Sequence, residues 1–207
     1  MSNWCFSRVT VKAPKPSIDR IESEMEAAMS ADPYHTDFGE MWLGNLLGHI
    51  GMLDASGRGC DLRYRGWVDD FQRTDEREIE LSTESAWGPH ISCIQAFARH
   101  YAPEAEVRYD AEETGCGLFW TNDPEMIGRV RIEAFDVEGV PEELYPFESW
   151  DYCEESSLIS RLQGLLATDE ADLDALVAAW NEKLQAYNPE ATVYVNPFVY
   201  VEVGEET

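Results

Sequence analysis

The sequence predicts an α+β fold with an antiparallel sheet. Three observations lead to it: short segments alternate between apolar and polar residues, segments between them have helical periodicity, and proline or glycine stands where one pattern replaces the other. The order of strand, helix, strand, helix and further strands favours antiparallel pairing. With 207 residues, 44% of them apolar, the chain can build a sizeable core in one large domain or two small ones.

The opening of the chain predicts a strand followed by a helix. Trp4 to Lys12 alternates with period two, and Pro14 ends this pattern. Ser17 is expected to cap the helix, which Asp32-Pro33 stops. The apolar stripe of this helix consists of Ile18, Ile21, Met25 and Met29.

The middle of the chain predicts several short elements. Residues 40–53 are rich in apolar side chains but contain three glycines, so a short, irregular helix is expected. A strand or turn is expected near residues 62–67, a strand over Glu78 to Glu84, and a helix from Pro89 to Tyr101. Three more strands follow, over Glu106–Asp110, Gly117–Thr121 and Arg129–Asp136.

Residues 137–207 are predicted to form an acidic α+β extension behind a first domain of residues 1–136. The leucine-rich residues 158–166 indicate one helix, and Thr168 is expected to cap a second. The closing strand Thr192–Val201 contains a proline, which confines it to an edge or a bulge. The apolar stripe of the second helix is Leu173, Leu176, Val177, Trp180 and Leu184.

The charge of the chain points to a basic partner. Asp and Glu number 41 against 15 Lys and Arg, a net charge of −26, and residues 133–207 hold 18 of the acids but only two of the bases. Proteins that hold nucleic acid neutralise its phosphates with Lys and Arg, so this excess argues against direct binding to nucleic acid. Because the five cysteines form no Cys-x-x-Cys pair and neither a secretory signal nor a membrane-spanning run occurs, a cytoplasmic protein with reduced thiols is expected.

The sequence contains no recognised catalytic, cofactor or metal motif. Phosphate-binding loops, dinucleotide fingerprints, zinc-protease, EF-hand and serine-hydrolase signatures are all missing, so no catalytic residue, cofactor or metal is predicted. Two weaker alternatives stay open. His90 and Cys93 lie one helical turn apart and could act as base and nucleophile, although Cys93 more readily packs inside a helix. The acids at 110, 112 and 113 could bind a divalent cation, although such clusters more often form a solvated turn.

Two segments mix aromatic and acidic residues, a composition that suits an interface with a basic partner. One is Trp67–Phe71, and the other is Tyr145–Tyr152 with the acids that flank it. The alternative is that these aromatic side chains close a small core beneath a charged surface. The predicted partner-binding residues are Asp69, Asp70, Glu142, Glu143, Glu148, Trp150, Asp151, Glu154 and Glu155.

Three motifs resemble those of a known family. They are Asn3-Trp4-Cys5-(x)2-Arg8-Val9-Thr10-Val11, the segment Leu81–Phe97 with its corner Ala86-Trp87-Gly88-Pro89, and Tyr109, Glu112 and Gly115-Cys116-Gly117 to Phe119. Over residues 1–136 the chain resembles the YubB-type ferredoxin-like domain family of plasmids and phages, although it has His90 where that family favours a second proline. The resemblance implies a ferredoxin-like split βαβ fold and a mobile-element context. It supplies no catalytic residues.

Charge and resemblance together favour a non-enzymatic inhibitor. The 26 net charges correspond to about 44 Å of duplex DNA, near the expected diameter of the protein. Such a protein of a phage or plasmid could act as a nucleic-acid mimic that occupies the nucleic-acid site of a host defence complex, such as a CRISPR effector or a restriction enzyme. One alternative is a small enzyme or ligand-binding domain that uses His90, Cys93 or the acids at 110–113 in a cleft. Another is a structural module that dimerises through strand 192–201 and whose acidity reflects host adaptation alone.

Overall fold

The computed structural model describes residues 3–30, 37–54, 57–145 and 150–205, which contain five helices and nine strands of a mixed α+β fold. They divide into two compact units. The first unit combines Met1–Glu125 with Tyr200–Thr207, and the second unit is Met126–Val199. None of the helices in the described ranges is both long and apolar enough to span a membrane.

In the first unit, strands and helices alternate around one sheet. Its elements are, in chain order, β1 (Trp4–Lys12), α1 (Lys15–Ser30), α2 (Leu43–His49), β2 (Gly66–Asp75), β3 (Glu78–Ala86), α3 (Ile91–Tyr101), β4 (Glu106–Glu113) and β5 (Leu118–Thr121). The strand order is β2-β3-β1-β4-β5, and a two-residue strand near the end of the chain, β9 (Val199–Tyr200), adds to β5. The central strand β1 pairs antiparallel with both β3 and β4.

The alternation of β1 gives this strand a buried face and an exposed one, although on β5 the residues of the latter face, Phe119 and Thr121, are buried. Val9 and Val11 are completely buried, whereas Phe6 and Arg8 are exposed. We call the face on which Phe6 and Arg8 lie the outer face. The buried face packs against apolar residues of the three helices, which include Ile18, Ile21, Leu46, Leu47, Ile94 and Phe97.

The second unit has a smaller sheet and two helices. Its elements are β6 (Arg129–Phe135), β7 (Trp150–Glu154), α4 (Glu155–Leu166), α5 (Leu173–Gln185) and β8 (Thr192–Pro197). β6 lies between β7 and β8 and pairs antiparallel with both. Trp180 is fully buried, and its indole Nε1 donates to the carbonyl of Leu144 at 2.8 Å. The core consists of Val130, Ile132, Leu158, Leu162, Leu176, Trp180, Leu184, Ala191 and Val193.

The division of the chain differs from the predicted boundary at residue 136. The sequence assigns residues 129–136 to the first domain, but β6 pairs with β7 and β8 in the second unit. Alternation indicates a strand without indicating its partner, so the sequence pattern alone could not assign residues 129–136 to either unit. The charge is also shared between the units: 26 acids and 11 bases give −15 in the first, and 15 acids and four bases give −11 in the second.

Two predicted helix starts are wrong. α1 begins before Ser17, whose hydroxyl donates to Oε1 of Glu104 at 2.8 Å. α5 is capped by Asp172, whose carboxylate accepts from the backbone N–H of Ala175 at 2.8 Å, and not by Thr168. In both places a residue type that suits a cap is present, but the backbone turns into the helix at another position.

The predicted closing strand Thr192–Val201 is divided in the structure. β8 ends at Pro197, and Phe198 is buried, with its backbone N–H donating to the carbonyl of Arg129 at 3.1 Å. Val201 belongs to the first unit, where its N–H donates to the carbonyl of Thr121 at 2.8 Å. β8 itself is an edge strand of its sheet, as its proline predicts.

Candidate functional site

The motifs that carry the family resemblance meet at one end of the first unit's sheet. Trp4 lies opposite Ala86 in the ladder between β1 and β3. The backbone N–H of Trp87 donates to the carbonyl of Asn3 at 3.0 Å, and Nδ2 of Asn3 donates to Sγ of Cys116 at 2.7 Å. Asn3 and Cys116 are 113 residues apart in the chain, so the fold gathers these motifs into one neighbourhood.

The turn after β3, residues 85–90, which we call the Trp87 corner, has a strained backbone. Trp87 has a φ of 70° and Gly88 a φ of 124°, and the first value is rare for a bulky side chain. The buried hydroxyl of Ser85 donates to the carbonyl of Gly88 at 2.9 Å and helps to fix the turn. The Trp87 side chain is nevertheless 58% exposed. Backbone strain of this kind is concentrated at functional sites, which makes the corner a candidate.

Aromatic and acidic side chains alternate across four strands of the outer face. Trp67 of β2 lies opposite Glu84 of β3. Phe6 of β1 lies opposite Glu84 on one side and opposite Glu112 of β4 on the other. Directly opposed side chains in a ladder are neighbours at about 5 Å. Phe6 is 57% exposed, and the rings of Trp4 and Trp67 lie 5.8 Å apart. We call Trp67, Glu84, Phe6 and Glu112 the aromatic–acidic row.

Further along the outer face, cations neutralise the carboxylates. The ion pairs there are Arg8–Asp110 at 3.0 Å, Lys12–Glu78 at 2.9 Å and Arg108–Glu106 at 2.6 Å. Glu84 forms no ion pair with any residue that the structure describes. In the aromatic–acidic row, the carboxylate of Glu84 therefore lies beside exposed aromatic surface and not beside a cation.

A cleft of about 480 Å³ lies against the Trp87 corner and is lined by residues 60–65, Ala86, Trp87 and His90. His90 immediately precedes α3 and is only 4% exposed. Burial, and secondarily the positive charge of Arg63, lowers the pKa of His90 from 6.5 to about 4, so the ring is neutral at neutral pH. Its Nδ1 is buried and has no hydrogen-bond partner among the described residues.

Two of the other candidate catalytic and metal-binding residues, Cys93 and Asp110, are engaged in structural contacts, whereas Glu113 is buried and its Oε1 has no hydrogen-bond partner among the described residues. Cys93 is fully buried, and its thiol donates to the backbone carbonyl of His90 at 2.9 Å. Asp110 pairs with Arg8 and also accepts from the hydroxyl of Thr121 at 2.8 Å. Within the described ranges, no group of three or more His, Cys, Asp or Glu side chains is arranged to hold a metal ion. Hydrogen bonding and packing account for both Cys93 and Asp110.

The predicted partner-binding residues fall on both units. Asp70 lies opposite Ser82 on the outer face, in the line of opposed residues next to the aromatic–acidic row. Asp69 occupies a bulge of β2. In the second unit, Glu142 and Glu143 are exposed in a short 3-10 turn. Asp70 is therefore the predicted residue that the register places on the outer face, one line away from the aromatic–acidic row.

The remaining predicted residues belong to the second unit. Glu154 pairs with Arg129 at 3.2 Å, and Glu155 is the first residue of α4. Tyr145, from the same aromatic segment, stacks on Trp180 with a centroid distance of 5.9 Å and packs against the core. For Tyr145 the structure confirms the alternative that this segment closes a small core. The others are the β7 residues Trp150 and Asp151 and, outside the described residues, Glu148.

Sequence reasoning missed Phe6 and Glu84 as members of a site, and it singled out Glu112 only as a candidate cation ligand. They come from three strands and meet only through the register of the ladders, which period-two alternation does not encode. One signal was available. The alternation of β1 places Phe6 on the same face as Arg8, where a large exposed aromatic side chain calls for an explanation.

Comparisons of the chain with protein-family models, with curated proteins and with solved structures found no match. The resemblance to the YubB-type family therefore stays a prediction that rests on the motifs quoted above. The outer face, the Trp87 corner and the cleft are the features from which a function can be inferred.

Proposed function

We propose that the first unit is a ferredoxin-like domain and that the second is its acidic α+β extension. The order β1-α1-β2-β3-α3-β4, with β1 and β3 at the centre of the order β2-β3-β1-β4, supports the split βαβ arrangement. α2, β5 and β9 would be additions to that plan. The net charge of −11 on the second unit supports the description of the extension as acidic.

We propose that the protein is a non-enzymatic binding protein whose outer face docks on a basic protein. The observation that carries this proposal is the aromatic–acidic row, in which Phe6 is 57% exposed between Glu84 and Glu112. Aromatic rings supply area that is desolvated on binding, and they attract Arg or Lys through their faces. Carboxylates beside them add charge complementarity. An arginine-rich surface satisfies both requirements at once.

The partner is proposed to be a nucleic-acid-binding protein, with this chain occupying its nucleic-acid site. Surfaces that bind phosphates are rich in Arg and Lys, and a protein with a net charge of −26 is attracted to them before contact. The resemblance to a family of plasmids and phages supports a host defence complex, such as a CRISPR effector or a restriction enzyme. Because both units are acidic, the long-range field guides the encounter and the aromatic–acidic row selects the docking surface.

The experiment is capture followed by competition. The tagged protein is incubated with a host lysate at low salt, and bound proteins are then released with a duplex of about 20 base pairs, whose phosphates compete for the same cations. We expect the duplex to release the partner at a concentration where an uncharged polymer does not. A captured protein that binds this chain and the duplex simultaneously would contradict the proposal.

A second candidate function is dimerisation. β8 is the edge of its three-stranded sheet, and its Tyr194 is 54% exposed. An edge strand offers unpaired backbone groups to a second copy of the chain. Light scattering over a range of protein concentrations tests this candidate, and a monomer at every concentration would exclude it.

A further inference from the structure

The cleft beside the Trp87 corner is a second candidate site, and it has the opposite charge character from the outer face. We infer that this cleft binds a nucleoside monophosphate. Two guanidinium groups, a buried imidazole and an exposed indole line it, and together they match the phosphate, the hydrogen-bond donors and the flat base of such a ligand. This inference is independent of the proposed docking on a basic protein.

The phosphate would be held by Arg63 and Arg65. Both are exposed at the cleft, and neither forms an ion pair within the described residues, although the chain has 41 carboxylates for 15 basic residues. Among the described residues, four other arginines form ion pairs with carboxylates, one of them Arg73, which lies 2.7 Å from both Asp19 and Glu22. Guanidinium binds phosphate oxygens through two parallel hydrogen bonds, so two unpaired groups at one cleft suit a phosphomonoester.

A carboxylate, Asp61, also lines the cleft but forms no ion pair with any described residue. The lining therefore keeps a local excess of positive charge within a strongly negative protein. A phosphate approaching from solution is repelled by the protein as a whole and attracted locally near Arg63 and Arg65.

His90 would accept a hydrogen bond from the ligand. Its ring already bonds the backbone of Ala86, while its Nδ1 is buried and without a partner in the described part of the chain. A neutral imidazole has one donor and one acceptor nitrogen, so Nδ1 can accept once the other nitrogen donates to a carbonyl. An unsatisfied buried acceptor is costly, and a rotation of the His90 ring towards the cleft would let a hydroxyl or amino group of a nucleotide satisfy it.

Trp87 would provide the surface for the base. Its indole is 58% exposed, although its backbone is held at a φ of 70°. Stacking of a nucleobase on an indole requires only a free ring face and tolerates every base. The corner thus places an exposed aromatic ring in the lining of the cleft, where its face is accessible for stacking.

The space available fits this ligand class. The cleft volume of about 480 Å³ lies in the range of about 300–1,000 Å³ that is usual for small-molecule sites. A second cavity of about 160 Å³ shares Asp61, Leu62, Arg63 and His90 with it. Arg63 and His90 therefore border both spaces.

The test is titration of the full-length protein with adenosine monophosphate, adenosine and inorganic phosphate. Binding is measured by calorimetry and by the change in tryptophan fluorescence. We expect adenosine monophosphate, or its uridine, guanosine or cytidine counterpart, to bind about tenfold or more tightly than the nucleoside or phosphate alone. The double variant Arg63→Gln/Arg65→Gln should lose this advantage. Arg77→Gln removes an exposed arginine outside the cleft and should leave the affinity unchanged.

Two further variants keep the inference falsifiable if the arginine variant does not fold. Trp87→Phe should abolish most of the fluorescence change on nucleotide binding, because stacking on Trp87 is its source. His90→Asn should weaken the nucleotide but not inorganic phosphate. Absence of binding by all four monophosphates at millimolar concentration would overturn the inference. Equal binding of nucleoside and monophosphate, or an unchanged fluorescence response in Trp87→Phe, would overturn it as well.

Discussion

Tyr145 in the second unit and Phe6 in the first unit are both aromatic residues in acidic segments, but their structural environments differ. Tyr145 stacks on the buried Trp180 at 5.9 Å, and the nearby Glu154 pairs with Arg129 at 3.2 Å. Phe6 is 57% exposed on the outer face, opposite Glu84. Composition alone therefore does not separate aromatic side chains that close a core from those exposed on a sheet, whereas their positions in the fold do.

Charge distinguishes the two regions less than the sequence indicates. Residues 133–207 hold 18 acids and two bases, a composition that favours this segment as the surface that binds a basic partner. The structural units carry −15 and −11, because β6 brings two arginines into the second unit and the last residues return to the first. The first unit carries the aromatic–acidic row and the exposed Trp87, and the Nδ1 of its buried His90 has no hydrogen-bond partner among the described residues.

The largest expected effect is a loss of stability when Trp180, an aromatic residue in the core of the second unit, is replaced. Trp180→Ala should lower the free energy of unfolding by about 3–5 kcal/mol, because it creates a cavity and removes the bond to the carbonyl of Leu144. Urea denaturation followed by circular dichroism measures this change. The control Tyr187→Ala, at a ring that is 58% exposed, should change it by less than about 0.5 kcal/mol. Similar costs for the two variants would remove the distinction between core and surface aromatics in this unit.

The next effect concerns His90 and acid stability. Burial first and Arg63 second lower the pKa of His90 to about 4 from 6.5, so the unfolded chain takes up a proton that the folded protein does not bind. Stability is therefore present above pH 6.5 and is lost as the pH falls towards 4, by about 3 kcal/mol for this group. The measurement is the difference in free energy of unfolding between wild type and His90→Asn at several pH values, which cancels the carboxylates. A difference that is independent of pH would show that His90 is not buried in its neutral form.

A smaller effect tests the strain at the Trp87 corner. Trp87→Gly and Trp87→Ala both remove the ring, but only alanine keeps a Cβ at a φ of 70°. The glycine variant should be more stable than the alanine variant by about 1 kcal/mol, because a Cβ in the left-handed region costs about that much. Thermal unfolding of the two variants side by side measures the difference. A more stable alanine variant would mean that the corner relaxes out of the left-handed region.

The elements with the strongest periodicity were predictable. β1, β3, α3 and α5 follow from alternation or from a helical stripe, because one face of each is buried. The partner of β6 was not predictable, since alternation carries no information on pairing. β7 was missed because its five residues lie inside a segment whose aromatic and acidic composition obscures any alternation.

The candidate site was predictable only in part. Asp70 and His90 stood out from the sequence, the first by its aromatic neighbours and the second by its place before a helix. Glu84 did not, and Glu112 stood out only as a candidate cation ligand, because both reach Phe6 through the register of two ladders. Arg63 and Arg65 did not either, since the absence of a carboxylate partner is a property of the folded chain.

We propose that the first unit's outer face, and not the acidic segment of the second unit, binds the basic partner. Two variants that each remove two negative charges test it directly: Glu84→Gln/Glu112→Gln and Glu142→Gln/Glu143→Gln. Their dissociation constants for the captured partner are measured at one salt concentration, so that the change in overall field is the same. We predict about tenfold or more loss of affinity for the first variant and less than about twofold for the second. Equal losses, or a larger loss for the second variant, would contradict the account.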